Sequence, residues 1–291
     1  MIDGIIVKGI GGFYYVKTIQ GILESRARGN FREENITPLV GDNVRVRISD
    51  EDNSGYIEEI YPRKSQLIRP PVANITHAII VMSIKKPELN TWLLDRFIIM
   101  AEHENLEITI CINKSDLAPD EALEFKEIYE DVGYRVICTS TKTGLGIDEL
   151  NKRLNNNISV FAGPSGAGKS SLLNSINHNF ALETGDVSAK TKRGKHTTRH
   201  VELLDLDENS FVLDSPGFSS LNVDFIKEDI ELRDYFKEIK KYGAGCKFIS
   251  CLHFNEPDCE VKKQVENGNV DKERYKNYLL FLEEIKNIRR Y

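Results

Sequence analysis

Eight consecutive residues, Gly163-Pro164-Ser165-Gly166-Ala167-Gly168-Lys169-Ser170, constrain the fold of this 291-residue chain more than any other segment. They fit G-x-x-x-x-G-K-[ST], follow the apolar run 158–162 and open the helical stretch 170–176. Glycines let successive N–H groups turn inward around phosphate oxygens. Lys169 then meets the β and γ phosphates, Ser170 offers its hydroxyl to Mg²⁺, and Ser171 continues the phosphate contacts at the helix start. Such a loop works at a strand-to-helix junction, so the chain must hold a parallel α/β sheet. The pattern from His77 to Pro216 agrees. Six β-favouring runs (77–83, 106–112, 134–140, 158–163, 201–206 and 210–214) alternate with helical stretches at 91–104, 120–132, 147–156 and 169–177. Several runs are continuously apolar, as in strands covered on both faces, and the fold class is a doubly wound α/β domain.

The phosphate loop does not choose a base. Asn113-Lys114-Ser115-Asp116, at the end of the run 106–112, does. A carboxylate there accepts both N1–H and the exocyclic amine of guanine, whereas adenine would leave it facing acceptors. Discrimination of this kind is worth on the order of 10⁴-fold. Asn113 and Lys114 would brace the loop, the lysine stem lying along the base. Ser140-Thr141-Lys142, ending the next strand, would supply a second base contact.

Asp214-Ser215-Pro216-Gly217 fits D-x-x-G, with Asp214 holding a Mg²⁺ water and the Gly217 N–H meeting the γ phosphate. Within Lys195-His196-Thr197-Thr198-Arg199-His200, Thr198 is favoured to complete the Mg²⁺ coordination, with Thr197 as the alternative. The order is unusual. GTPases ordinarily run from phosphate loop through switch threonine and DxxG to NKxD and SAK, but here NKSD and STK come first. The domain therefore reads as circularly permuted, in the order G4-G5-G1-G2-G3. Phe218 occupies the place where many GTPases carry a water-orienting glutamine, so slow intrinsic turnover is expected, and His196 is the local candidate to orient or deprotonate water.

Flanking segments differ in kind. Residues 1–62 carry five short β-favouring runs separated by glycines and polar clusters, a small closed barrel whose OB-like or SH3-like type the pattern leaves open. The stretch 62–74, with three prolines, reads as a linker. Residues 223–291 read as helical, with helices near 226–241 and 271–289. Cys246, Cys251, His253 and Cys259 fall within 14 residues, enough for one closed, structural Zn²⁺ site. Cys111 and Cys138 stand alone in apolar runs and read as core.

Taken together, the barrel, the GPSGAGKSSLLN loop, the HTT element, DSPGF and the C-terminal cysteine module make the chain resemble the RsgA/YjeQ/YloQ family of ribosome small-subunit-dependent GTPases. That resemblance implies domains at 1–70 (OB-fold barrel), 71–222 (permuted GTPase) and 223–291 (zinc-binding helices). It implies hydrolysis of GTP to GDP and phosphate in late maturation of the small (30S) subunit, stimulated by that particle. The alternative is a GTP-gated rRNA-binding adaptor in which hydrolysis is secondary; a P-loop kinase would have no use for NKSD.

The net charge of −6 does not argue against an RNA partner. Residues 1–70 balance 10 basic against 10 acidic side chains and residues 223–291 balance 14 against 14, so the excess lies in 71–222. Even there, Lys190, Lys192, Arg193, Lys195 and Arg199 cluster without an acid, a set suited to rRNA phosphate. With no apolar run near the roughly 20 residues that span a bilayer, and no export signal at the start, a cytoplasmic monomer without membrane contact is expected.

Overall fold

The computed structural model describes residues 1–29, 31, 36–49, 54–67, 70–182, 201–207, 209–213 and 222–288. Five strands, β1 (Ile2–Ile10), β2 (Phe13–Thr18), β3 (Gly21–Ala27), β4 (Asn43–Ile48) and β5 (Gly55–Ile60), close into a barrel in the order β1-β2-β3-β5-β4. A plain meander would place β4 beside β3. Instead β3 pairs with β5 in parallel and β4 returns to β1, which is the OB-type closure. Alternation drives it: Val44 and Val46 point into the core with Ile6, Val16 and Ile57, while Arg45 and Arg47 face outward over the rings of Tyr61 and Tyr56.

The stretch 62–74 expected as a linker holds a packed hairpin, β6 (Gln66–Leu67) with β7 (Val72–Ala73). Its prolines 70 and 71 lie at the turn, and Leu67, Val72 and Ala73 are buried. The segment is tied down at both ends. Arg63 makes a two-pronged ion pair with the buried Asp42 (2.7 and 2.8 Å), and Asn74 Nδ2 donates to Gly41 O (2.9 Å).

Beyond it lies a six-stranded sheet with the order β10-β9-β8-β11-β13-β12. Its strands are β8 (His77–Ser83), β9 (Glu107–Asn113), β10 (Arg135–Cys138), β11 (Ile158–Ala162), β12 (Leu203–Asp205) and β13 (Phe211–Leu213). Four connecting helices are α1 (Thr91–His103), α2 (Pro119–Asp131), α3 (Ile147–Leu154) and α4 (Lys169–Ile176). Every neighbouring pair is parallel except β12 with β13. One face packs on α1 and α2 through Leu94, Phe97 and Tyr129, the other on α3 and α4 through Leu150, Leu154 and Leu172. Both faces are thus covered, which is why the strands read as unbroken apolar runs. The permutation lies in the order of the strands along the chain: β9, which carries NKSD, precedes β11, which carries the phosphate loop, and between them in the sheet sits β8. At its start His77 is buried, with Nε2 2.8 Å from Thr109 Oγ1, and burial pushes its pKa down to about 4, so it is neutral at pH 7.

After residue 222 the described chain is helical: a 3₁₀ turn (Asp229–Tyr235), α5 (Lys237–Gly243), α6 (Glu260–Glu266) and α7 (Lys272–Ile288). The single helix expected near 226–241 is broken at Phe236, which is extended (φ −116, ψ 98). That conformation drives its ring into the core, edge-on to Tyr278 at 5.4 Å and against Phe281. Both flanking modules grip the sheet. Lys8 and Lys17 of the barrel pair with Glu202 (2.7 Å) and Asp205 (2.6 Å), and Lys17 also lies over the ring of Phe211. On the other side α7 packs along α1, where Trp92 stacks on Phe281 at 5.3 Å.

A buried charge cluster locks that second junction. Arg274 donates to Glu238 Oε1 (2.6 Å) and Oε2 (3.1 Å) and also to Asp95 Oδ1. Asp95 further accepts from Asn277 Nδ2 (2.7 Å) and the Tyr129 hydroxyl (3.0 Å).

Candidate functional site

The phosphate loop leaves the C-terminal end of β11 and NKSD leaves that of β9, so both open on the same edge of the sheet, where α/β folds bind ligands. Close backbone approach requires glycine at two points. A Cβ on Gly163 (φ 139) would fall 2.1 Å from Val81 O, and one on Gly168 (φ 96) would fall 2.3 Å from Asn113 Nδ2. The second contact shows how tightly the two motifs mesh.

Direct hydrogen bonds complete the meshing. Asn113, buried, donates from Nδ2 to Ala167 O (2.8 Å), and Lys114 Nζ donates to Gly166 O (2.8 Å). Residues more than 50 positions apart in sequence thereby form one rigid rim. Pro164 and Ser165 complete the loop's outer turn, and Ala167 is buried beneath it. Lys169 donates to Gly163 O (2.8 Å) and Pro164 O (2.9 Å), which centres its ammonium in the loop, and burial there lowers its pKa. Ser170 and Ser171 follow in the first turn of α4, which begins at Lys169.

The third element also arrives. Ser140 Oγ donates to Asp116 Oδ1 (2.7 Å), which fixes one oxygen of the half-buried carboxylate. Ser115 N donates to Thr139 O (3.1 Å) and Ser115 Oγ to Ile112 O (2.6 Å), which secures the turn. Thr141 and Lys142 continue in an exposed turn. One contributor escaped the sequence reading: the buried Thr139 donates from Oγ1 to Asn113 Oδ1 (3.2 Å), and its place beside Ser140 was the available signal. His196, Thr197, Thr198, His200, Asp214, Gly217, Phe218 and the basic cluster from Lys190 to Arg199 lie outside the described residues.

A second constellation forms between α5 and α7. Cys246, Cys251, His253 and Cys259 place one ligand atom each within 4.8 Å of one another. Donors about 2.3 Å (sulfur) and about 2.0 Å (nitrogen) from a tetrahedral centre stand about 3.8 Å apart, sulfur to sulfur, and about 3.5 Å, sulfur to nitrogen. Here Cys259 Sγ lies 3.8 Å from both Cys246 Sγ and Cys251 Sγ, and His253 Nδ1 lies 3.5 and 3.4 Å from Cys246 and Cys259. The four donors fit one tetrahedral metal ion, with Nδ1 as the imidazole ligand. The surrounding knuckle is held independently: Glu256 accepts from Leu252 N and Phe254 N, and the hydroxyls of Tyr275 and Tyr278 donate to His253 O and Leu252 O.

Comparison with known proteins agrees with this geometry. A family model described as RsgA GTPase matches residues 60–224, and one described as RsgA N-terminal domain matches residues 3–57. A relative from Caldanaerobacter subterraneus, named small ribosomal subunit biogenesis GTPase RsgA, is 52% identical over 98% of this chain and 96% of its own. One of the same name from Clostridium perfringens is 49% identical over 99% of each chain. Among solved structures, YjeQ from Thermotoga maritima superposes with a TM-score of 0.83 at 39% identity, covering 98% of each chain. YloQ, described as a circularly permuted GTPase, superposes at 0.82 with 38% identity over 99% of this chain and 96% of that one. With a closed barrel, a permuted sheet and a guanine-type rim in one chain, this protein belongs to the RsgA GTPase family.

Proposed function

We propose that this chain hydrolyses GTP to GDP and phosphate while bound to the small ribosomal subunit, and that it serves the biogenesis of that particle. The observation that carries this reading is the rim itself: NKSD is hydrogen-bonded into the phosphate loop, and Asp116 is oriented by Ser140. Asp116 would accept from the two guanine donors, the stem of Lys114 would lie along the base, and Lys169 would neutralise phosphate oxygens. Mg²⁺ bound with the nucleotide would add further neutralisation of the phosphates. Ser170, at the start of α4, would be its ligand from the phosphate loop, with Thr198 and Asp214 as expected partners. The basic cluster from Lys190 to Arg199, which carries five cations and no acid, would be the contact to rRNA phosphate. Phosphate release measured with GTP alone, then with saturating small subunits, tests the reading. A rise of at least tenfold is expected, and an unchanged rate would overturn it.

The metal is assigned as one structural zinc ion. Three thiolates and one imidazole leave no open coordination position, and soft sulfur donors suit zinc. Purified protein is expected to carry one zinc per chain by elemental analysis. Stripping it with a chelator should loosen residues 246–259 in hydrogen exchange. Metal-free protein with the same protection would refute the assignment.

A further inference from the structure

No motif marks the loop between β8 and α1, yet it lies at the centre of the nucleotide site. Because β8 runs between β9 and β11, the loop leaving it emerges between NKSD and the phosphate loop. Contacts to both sides hold it there. Ile84 N donates to Asn113 O (3.0 Å), and Ser83 Oγ donates to Lys85 O (2.5 Å). The Lys85 ammonium is shared between Glu88 (3.1 Å) and Glu121 (2.8 Å), the latter in the first turn of α2, just past NKSD. Lys114 Nζ donates to Lys86 O as well as to Gly166 O. Pro87 Cδ stands 3.5 Å from the point a Cβ on Gly166 would occupy. At the far end Asn90 Oδ1 accepts from Leu93 N (2.9 Å) and caps α1.

We propose that Lys86 is a positioning residue of the guanine-nucleotide site, acting through its main-chain carbonyl on Lys114. The assignment rests on the guanine reading above. A lysine held by one carbonyl can still swing on its four-carbon stem; a second carbonyl from an opposite loop fixes both ends of the arc, and charge-assisted hydrogen bonds are the strong ones. Lys86 aims that carbonyl by taking up left-handed backbone (φ 54), a conformation that glycine adopts freely and β-branched residues resist. Its own side chain is exposed, so the position contributes backbone geometry. The stem of Lys114 is thereby held against the rim, where the plane of the base would rest on it.

Backbone geometry can be separated from side-chain chemistry by substitution. Lys86→Val, strained at this φ, is expected to weaken binding of a fluorescent GDP analogue about tenfold. Lys86→Ala should show a smaller loss, and Lys86→Gly, which keeps the carbonyl and accepts the φ, should restore affinity. The decisive measurement is a double-mutant cycle with Lys114→Met, which removes the ammonium. In that background Lys86→Val should cause no further loss. Full loss in both backgrounds, or no loss in the first, would overturn the assignment. If Lys86→Val proves poorly folded by thermal melting, the same cycle is run with Lys86→Ala. A wild-type protein that binds no GDP would instead overturn the guanine reading itself.

Discussion

Replacing Asp116 with alanine is expected to weaken GDP binding by on the order of 10⁴-fold while leaving the fold intact. The size follows from what the substitution leaves behind. Guanine presents two donors on one edge, and without the carboxylate both would lose their partner in a site shaped to supply it. Ser140, which now donates to Asp116 at 2.7 Å, would lose its acceptor as well. Asp116→Asn should be nearly as damaging, because its amide offers a donor where guanine already has one. Titration calorimetry with GDP is the direct measurement, with thermal melting as the control. Unchanged affinity would mean that the base is not read by this carboxylate.

Arg274→Met is expected to cost about 3–5 kcal/mol of stability, the usual penalty for removing one partner from a buried ion cluster. Arg274 and Asp95 are each 1% exposed, and Glu238 is 6% exposed, so the two carboxylates would be left almost without water or counter-charge. Burial already pushes Asp95 up to about 6, against the pull of Arg274, Asn277 and Tyr129. Without the guanidinium that carboxyl should rise further and take up a proton. A raised carboxyl favours the folded state at low pH and loses that contribution as pH climbs through its folded value. The deficit of the variant should therefore shrink between pH 7.5 and pH 5.5. Trp92 is the sole tryptophan and stacks on Phe281 at this same junction, so urea denaturation followed by its fluorescence reads the loss directly. A deficit below about 1 kcal/mol at pH 7.5, or one that grows as pH falls, would contradict the account.

The nucleotide rim was legible in the sequence because its chemistry sits in short contiguous runs, each at the end of an apolar strand. NKSD, STK and the phosphate loop meet although they appear in permuted order, since a sheet is set by which strands pair and not by where the chain begins. Features made by distant residues were not legible. Arg274 lies 36 positions from Glu238 and 179 from Asp95, so no local pattern links the three charges. The hairpin at 66–73 was hidden by its prolines, and its burial depends on Val40, which bridges Val72 from another part of the chain. Helical periodicity around 226–241 was real on both sides of Phe236, but one aromatic needed by the core outweighed it. Lys86 and Pro87 carry no motif because what they contribute is a carbonyl and a shape.

The pairing of Lys8 with Glu202 bears on solubility. A sheet's outermost strand offers unpaired N–H and C=O groups to any other extended chain, a standing invitation to self-association. Of the two outer strands among the described residues, β10 is only four residues long and its Arg135 is ion-paired to Glu149. The other, β12, is met by the barrel, with an antiparallel bridge between Lys8 and Glu202 at its start and Lys17 bound to Asp205 at its end. The N-terminal barrel thus doubles as a built-in guard for the sheet, and a chain cut between the two would expose a sticky margin that the intact molecule keeps covered.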